Sequence, residues 1–171
     1  MLKKYVTTFG GSEFRSDTPQ YLEAERLGRL LANRGYIVKC GGYYGLMEAV
    51  CKGVFEFGGI CIGVTNASFD PKQKNKYVTE ERKQKDIFDR LRELVSESEI
   101  FVFQEGSIGT LEELFVVWCL RYTLTMKNIR ICLIGKFWFP FLAGVENLAI
   151  KPEEFEVLEV YDSLEDFKKK L

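Results

Sequence analysis

Three glycine-rich turns hold the residues through which this chain could do chemistry: Gly10-Gly11-Ser12, Gly41-Gly42-Tyr43-Tyr44-Gly45-Leu46-Met47 and Glu105-Gly106-Ser107-Ile108-Gly109-Thr110. Each follows a run of β-branched, aromatic or other apolar residues. A missing Cβ lets backbone N–H groups come close to an anion, and a helix N-terminus adds unpaired donors and a favourable dipole. Phosphate is the anion that suits such a turn. One turn of this kind would be explained by local turn geometry. Three at the carboxyl edge of one sheet point to a ligand, with Gly106–Thr110 as the cradle. None matches the Walker A pattern, which needs a Lys after its last Gly, and none matches G-x-G-x-x-G after the first strand. ATP hydrolysis and hydride transfer lose ground, and a mononucleotide or another sugar phosphate remains.

The chain contains no histidine. That removes Ser-His-Asp hydrolysis, Cys-His proteolysis and His-ligated metals together, so proton transfer falls to Glu, Asp, Lys, Tyr, Cys or water. The five cysteines, Cys40, Cys51, Cys61, Cys119 and Cys132, are scattered through apolar segments and never spaced C-x-x-C. They are expected to be reduced packing residues, with no disulfide, no metal site and no resident cofactor. Thr110-Leu111-Glu112-Glu113 reads, on residues alone, as a capping box in which Glu113 bonds back to the N-cap N–H.

The elements that must position these turns follow a βαβ rhythm. Strands are expected at Tyr5–Phe9, Tyr36–Cys40, Ile60–Val64, Ile100–Phe103 and Ile129–Ile134, with a short sixth at Glu156–Val160. Helices are expected from Asp17 or Thr18 to Gly35, from Gly45 to Phe57, from Asp86 to Ser96 and from Thr110 to Thr123. Two more fall at Phe137–Leu148 and Ser163–Lys170. This alternation predicts an α/β, Rossmann-like, doubly wound and mainly parallel sheet flanked by helices. Ligands of such sheets lie outside the carboxyl ends of the strands, where the three turns fall.

With 171 residues and 46% hydrophobic content, the chain can bury one substantial core, and residues 1–171 read as a single nucleotide-binding domain. A formal charge of −1 provides no global attraction to polymeric nucleic acid or to an anionic membrane surface. No segment approaches the roughly 20 apolar residues a membrane span needs. Met1-Leu2-Lys3-Lys4 leads into a strand instead of a signal-peptide core, so a cytoplasmic location is expected. Thr65–Lys85 lacks an apolar period and carries Lys72, Lys74, Lys76, Arg82, Lys83 and Lys85. It reads as a solvated loop, or as a mobile lid whose cations meet substrate phosphate.

Gly41-Gly42-Tyr43-Tyr44-Gly45-Leu46-Met47 resembles the G-G-x-x-G-L-M motif of the Lonely Guy family, and Gly106-Ser107-Ile108-Gly109-Thr110-Leu111-Glu112-Glu113 resembles its P-G-G-x-G-T-x-x-E motif. The order and separation agree, and the similarity runs from about Tyr5 to Ile134. The resemblance implies a Rossmann-type homodimer that hydrolyses the N-glycosidic bond of a nucleoside 5′-monophosphate to free base and ribose 5-phosphate. It also implies catalytic roles for Arg90, in Asp89-Arg90-Leu91-Arg92-Glu93-Leu94, and for Glu113. Gly10, Ser12, Gly41, Gly42, Gly45, Met47, Gly106, Ser107, Gly109 and Thr110 are the matching positions for phosphate and nucleotide binding. Many relatives bear the label lysine decarboxylase, but no lysine here has the context of a pyridoxal Schiff base.

The sequence departs from the family at Cys40, where many members have a third Gly, and at Glu105 and Ser107, which replace Pro and Gly. An anionic Glu105 beside a phosphate repels it unless turned away or paired. Against a catalytic Glu113 stands the capping box. Against a catalytic Arg90 stands a surface helix charge paired with Asp86 or Glu93. Tyr43 and Tyr44 could stack on a base or shield the sheet edge, and Phe137-Trp138-Phe139-Pro140-Phe141 reads as core or as a subunit contact. A non-catalytic carrier of a nucleotide or of a phosphorylated, molybdenum-cofactor-like ligand would use the same pocket.

Overall fold

The computed structural model describes residues 3–171; Met1 and Leu2, the first half of Met1-Leu2-Lys3-Lys4, lie outside them. Among the described residues seven strands, β1 (Lys4–Phe9), β2 (Tyr36–Cys40), β3 (Cys61–Gly63), β4 (Glu80–Glu81), β5 (Ile100–Phe103), β6 (Arg130–Ile134) and β7 (Leu158–Tyr161), form one sheet. Its order is β4-β3-β2-β1-β5-β6-β7, and every pairing is parallel. The chain winds outward from β1 to β4, then returns to lay β5 on the free side of β1. That reversal between β1 and β5 is the topological switch point, where loops diverge and leave a crevice.

The parallel strands are apolar on both faces because helices cover both. Val6, Val102, Cys132 and Ile134 point into one core with α1 (Pro19–Asn33), α2 (Leu46–Glu56) and α7 (Leu164–Lys170). Phe101, Phe103, Ile131 and Leu133 point into the other, with α3 (Ile87–Val95), α4 (Ile108–Tyr122) and α5 (Trp138–Val145). The doubly wound α/β sheet expected from the sequence is therefore present.

Local chemistry sets the helix starts. The Thr18 hydroxyl accepts from the N–H of Tyr21 at 3.3 Å, with Pro19 in the first turn, so Thr18 and not Asp17 is the N-cap of α1. Asp86 caps α3, its carboxylate accepting from the N–H groups of Phe88 and Asp89 at 2.9 Å each. Helix α4 starts earlier than expected, with Ser107 as N-cap. Thr110 thus lies inside the first turn, and the capping box read into Thr110–Glu113 does not form.

Three short elements were not legible: α6 (Pro152–Phe155), a 3-10 turn at Ala67–Phe69, and β4, which borrows its register from β3. The Phe137–Phe141 cluster packs mainly inward. Trp138 is buried, its indole N–H donating to the carbonyl of Phe103 at 3.3 Å, while Phe139 is 46% exposed. The cysteine expectation is corrected: Cys51 of α2 and Cys61 of β3 are disulfide partners, and the Cys40 Sγ lies 3.3 Å from that of Cys51. Residues scattered in sequence converge because the end of β2, the inner face of α2 and the start of β3 share one core.

Candidate active site

The switch point supplies the frame. The Gly11 N–H donates to the carbonyl of Glu105 at 2.9 Å, and the Leu46 N–H donates to the carbonyl of Gly11 at 2.9 Å. All three glycine turns are thereby joined edge to edge. Glycine is required where they meet: Gly45 has φ +67, and a Cβ there would stand 2.6 Å from the Cα of Ser12. A Cβ on Gly106 would come within 3.0 Å of the Gly11 nitrogen and 2.7 Å of the Thr110 Cβ.

Above this junction opens a cavity of about 250 Å³. One side is built from Gly10, Gly11 and Ser12 after β1 and from Ser107, Gly109 and Thr110 at the start of α4. The first N–H groups of α4 have no partner inside the helix, and the space beside Gly109 is open. The Ser107 side chain makes no capping bond to the helix. Among the matched binding positions, Met47 also lines the cavity, whereas Gly41, Gly42, Gly45 and Gly106 lie outside its wall and hold the turns in shape.

Arg90 and Glu113 both face this cavity, from α3 and α4. Arg90 is 8% exposed, which overturns its reading as a surface charge. Its Nε donates to the Val64 carbonyl at 2.9 Å and Nη2 to the Gly41 carbonyl at 3.4 Å, leaving Nη1 3.6 Å from Glu113 Oε1. Neither Asp86 nor Glu93 is its partner. Asp86 caps the helix, and Glu93 pairs with Arg82 at 2.6 Å. Burial pushes the Glu113 carboxyl up to about 7, the Arg90 cation opposes the rise, and the nearby Glu112 adds to it. A carboxyl tuned there can exist in either protonation state near neutrality.

Glu105 is turned away. Its carboxylate accepts from the Gln20 amide at 3.2 Å and borders a separate cavity with Pro19, Glu23 and Arg26. The Ser12 hydroxyl donates to the neighbouring Glu13 carboxylate at 2.9 Å. Tyr44 is 43% exposed and outside the cavity wall. Tyr43 is buried and lines the cavity, its hydroxyl accepting from the Asn66 N–H at 2.9 Å.

Sequence reasoning missed the residues that hold Arg90 and Tyr43 in place. Lys39 of β2 is completely buried, and its ammonium donates to the carbonyls of Glu93 and Ser96 at 2.8 and 2.7 Å. It thereby caps the C-terminus of α3, the helix that carries Arg90. Desolvation lowers its pKa, and Glu93 and Glu97 oppose the fall. Asn75 donates from Nδ2 to the carbonyls of Gly42 and Tyr43 at 3.2 and 2.7 Å. The segment Thr65–Lys85 is largely exposed, as its reading as a solvated loop expected, but it is stitched to the second glycine turn and to the sheet edge at Asn75 and β4. A lysine in the middle of an apolar strand and two asparagines in a charged tract were the available signals.

A model of the SLOG cluster4 family matches residues 3–136. A probable cytokinin riboside 5′-monophosphate phosphoribohydrolase of Oryza sativa subsp. japonica is 33% identical over 146 residues, covering 83% of this chain and 59% of its own. A cytokinin riboside 5′-monophosphate phosphoribohydrolase of Rhodococcoides fascians is 28% identical over 153 residues, covering 86% and 77%. The chain spans little more than half the length of the two rice relatives, 52% and 59%. Among solved structures, the molybdenum cofactor binding protein of Rippkaea orientalis superposes with a TM-score of 0.79 at 20% identity, over 99% of this chain and 96% of that one. The molybdenum cofactor carrier protein of Chlamydomonas reinhardtii gives 0.68 at 20% identity, over 98% and 96%. Those two likenesses concern the fold. With its glycine turns joined at the switch point and its first 136 residues matched almost throughout, this chain belongs to the SLOG cluster4 family, and the likeness to Lonely Guy proteins read from its motifs holds.

Proposed function

We propose that this chain is a nucleoside 5′-monophosphate phosphoribohydrolase. The observation that carries the reading is the Arg90–Glu113 pair, its side chains 10% and 13% exposed beside the open N-terminus of α4, with its carboxyl pushed up to about 7. The N–H groups and hydroxyls of Ser107, Gly109 and Thr110 hold the 5′-phosphate, and Ser12 closes the opposite side. Water adds to C1′ of the ribose and releases a proton; the C1′–N bond breaks, its electron pair leaves with the base, and the base takes up a proton in exchange, so that one water is consumed. Positive charge develops on the ribose ring, and ionised Glu113 stabilises it and orients the attacking water. Arg90, anchored by two carbonyls, holds that carboxylate and offers the ribose hydroxyls a donor.

Lys39, the lysine buried in the core, is occupied by the carbonyls of α3, which gives no support to the lysine decarboxylase label. Phe88 and Ile108, 73% and 80% exposed, sit at the starts of α3 and α4 beside the cavity, and a homodimer would cover them. Pure protein incubated with AMP, GMP, CMP, UMP and an isopentenyl-type adenosine monophosphate should release free base from at least one, and Glu113→Ala should abolish the release. Tight binding of intact nucleotides with no base released would overturn the enzyme and leave a carrier, as the Chlamydomonas reinhardtii molybdenum cofactor carrier protein of the same fold is named.

A further inference from the structure

Thr65–Lys85 brings several cations toward the cavity edge, but the structure disposes of them differently. Lys83 pairs with Asp70 at 2.7 Å, Lys74 donates to the carbonyl of Val78, and Arg82 is shared among Glu80, Glu93 and Glu97. Lys72 lines the cavity, and among the described residues no carboxylate or carbonyl is bonded to its ammonium. Its Nζ stands 4.8 Å from the centroid of the Tyr43 ring.

Contacts across the cavity put Lys72 at one end. Glu113 meets Arg90, the Arg90 guanidinium lies 5.9 Å from the Tyr43 ring, and Tyr43 meets Lys72 and the tilted ring of Phe69 at 5.8 Å. The cradle at Ser107–Thr110, one helical turn before Glu113, follows β5, whereas Lys72 follows β3, three strands away across the sheet. A nucleotide whose phosphate sits in the cradle and whose C1′ faces Glu113 therefore directs its base at Tyr43, Phe69 and Lys72, since 5′-phosphate and base leave the ribose from opposite ends.

An ammonium donates and never accepts. It pairs with adjacent acceptors on a base edge, as Lys does with O6 and N7 of guanine, and it opposes the exocyclic amine that adenine presents at the same place. We infer that Lys72 is a specificity-determining residue that selects a 6-oxopurine 5′-monophosphate, a guanine or hypoxanthine nucleotide, over adenine and N6-alkylated adenine nucleotides. This inference rests on the nucleotide-binding part of the proposed function and does not require bond cleavage.

The test is equilibrium binding of GMP, IMP, AMP and N6-isopentenyl-AMP to the wild type and to Lys72→Met, with free base measured in parallel. GMP and IMP should bind about 10-fold more tightly than AMP, and Lys72→Met should bring that ratio close to one, through weaker GMP and IMP binding and an AMP affinity that does not fall. Equal or tighter binding of AMP or its N6-alkyl derivative by the wild type overturns the inference. So does a uniform loss of all four ligands in the variant, which would place Lys72 on the phosphate. The two readings fail separately: selective binding of intact GMP with no guanine released removes the hydrolase and keeps Lys72, whereas unselective base release does the reverse. Lys72 is exposed, so the variant should fold, and an unchanged thermal melt confirms it.

Discussion

Arg90 and Glu113 stand on different helices, yet Nη1 of one and Oε1 of the other are 3.6 Å apart, and the carboxyl is still pushed up to about 7. Desolvation outweighs the attraction of the guanidinium because two carbonyls already share that cation.

That balance sets a pH dependence of stability. A carboxyl whose folded pKa lies above its ordinary value favours folding at low pH, and the contribution is lost as pH rises through about 7. Glu113→Gln removes the dependence. The variant should gain melting temperature over the wild type at about pH 8.5 and show little gain at about pH 5, as scanning calorimetry would register. An equal difference at both values would mean that the carboxyl titrates normally.

In the proposed hydrolysis the ionised carboxylate would be the active form, so kcat/KM should climb with an inflection near 7. Arg90→Ala should lower kcat by roughly 100-fold or more, and Arg90→Lys should not restore it, because the shorter lysine lacks the planar fork that spans Val64, Gly41 and Glu113. Full activity in the lysine variant would place the chemistry elsewhere.

The junction of the turns is sensitive to a single methyl group. Gly106→Ala would press on the Gly11 nitrogen and Thr110. Binding of a nucleoside monophosphate should weaken by about 100-fold or more, measured by calorimetric titration, as expected when a backbone cradle is forced open. Glu105→Gln is the control. Its carboxylate faces Gln20 and not the cavity, so phosphate affinity should change by less than about 3-fold. A large gain there would show that Glu105 does repel the anion.

Lys39→Met should cost on the order of 2–4 kcal/mol in urea unfolding, because the carbonyls of Glu93 and Ser96 lose their buried donor. The loss should spread to the site as a lower kcat, since the C-terminal anchor of the helix carrying Arg90 is gone.

Thiol accessibility should follow burial. Cys40, Cys51, Cys61 and Cys132 are buried and Cys119 is exposed, so a thiol reagent should label Cys119 rapidly in the native state and the other free thiols only after unfolding. Rapid native labelling of Cys40 would contradict the packing between β2 and α2.

Much of this molecule was legible in the chain because it depends on local rules. Apolar runs separated by helical periods locate β1, β2, β5 and β6 to within a residue or so, and Thr18-Pro19 marks the start of α1. Glycines after strands named the three turns, and the motif match named Arg90 and Glu113. Long-range packing decided the rest. β4 exists because β3 offers it an edge, and Cys51 meets Cys61 because α2 crosses the sheet at that point. Glu105 turns away from the cavity to Gln20 of α1, a residue far from it in sequence. Tertiary structure alone set the environment of Glu113, since the desolvation that raises its pKa comes from residues remote in sequence, and a pattern of neighbours along the chain carries no record of them.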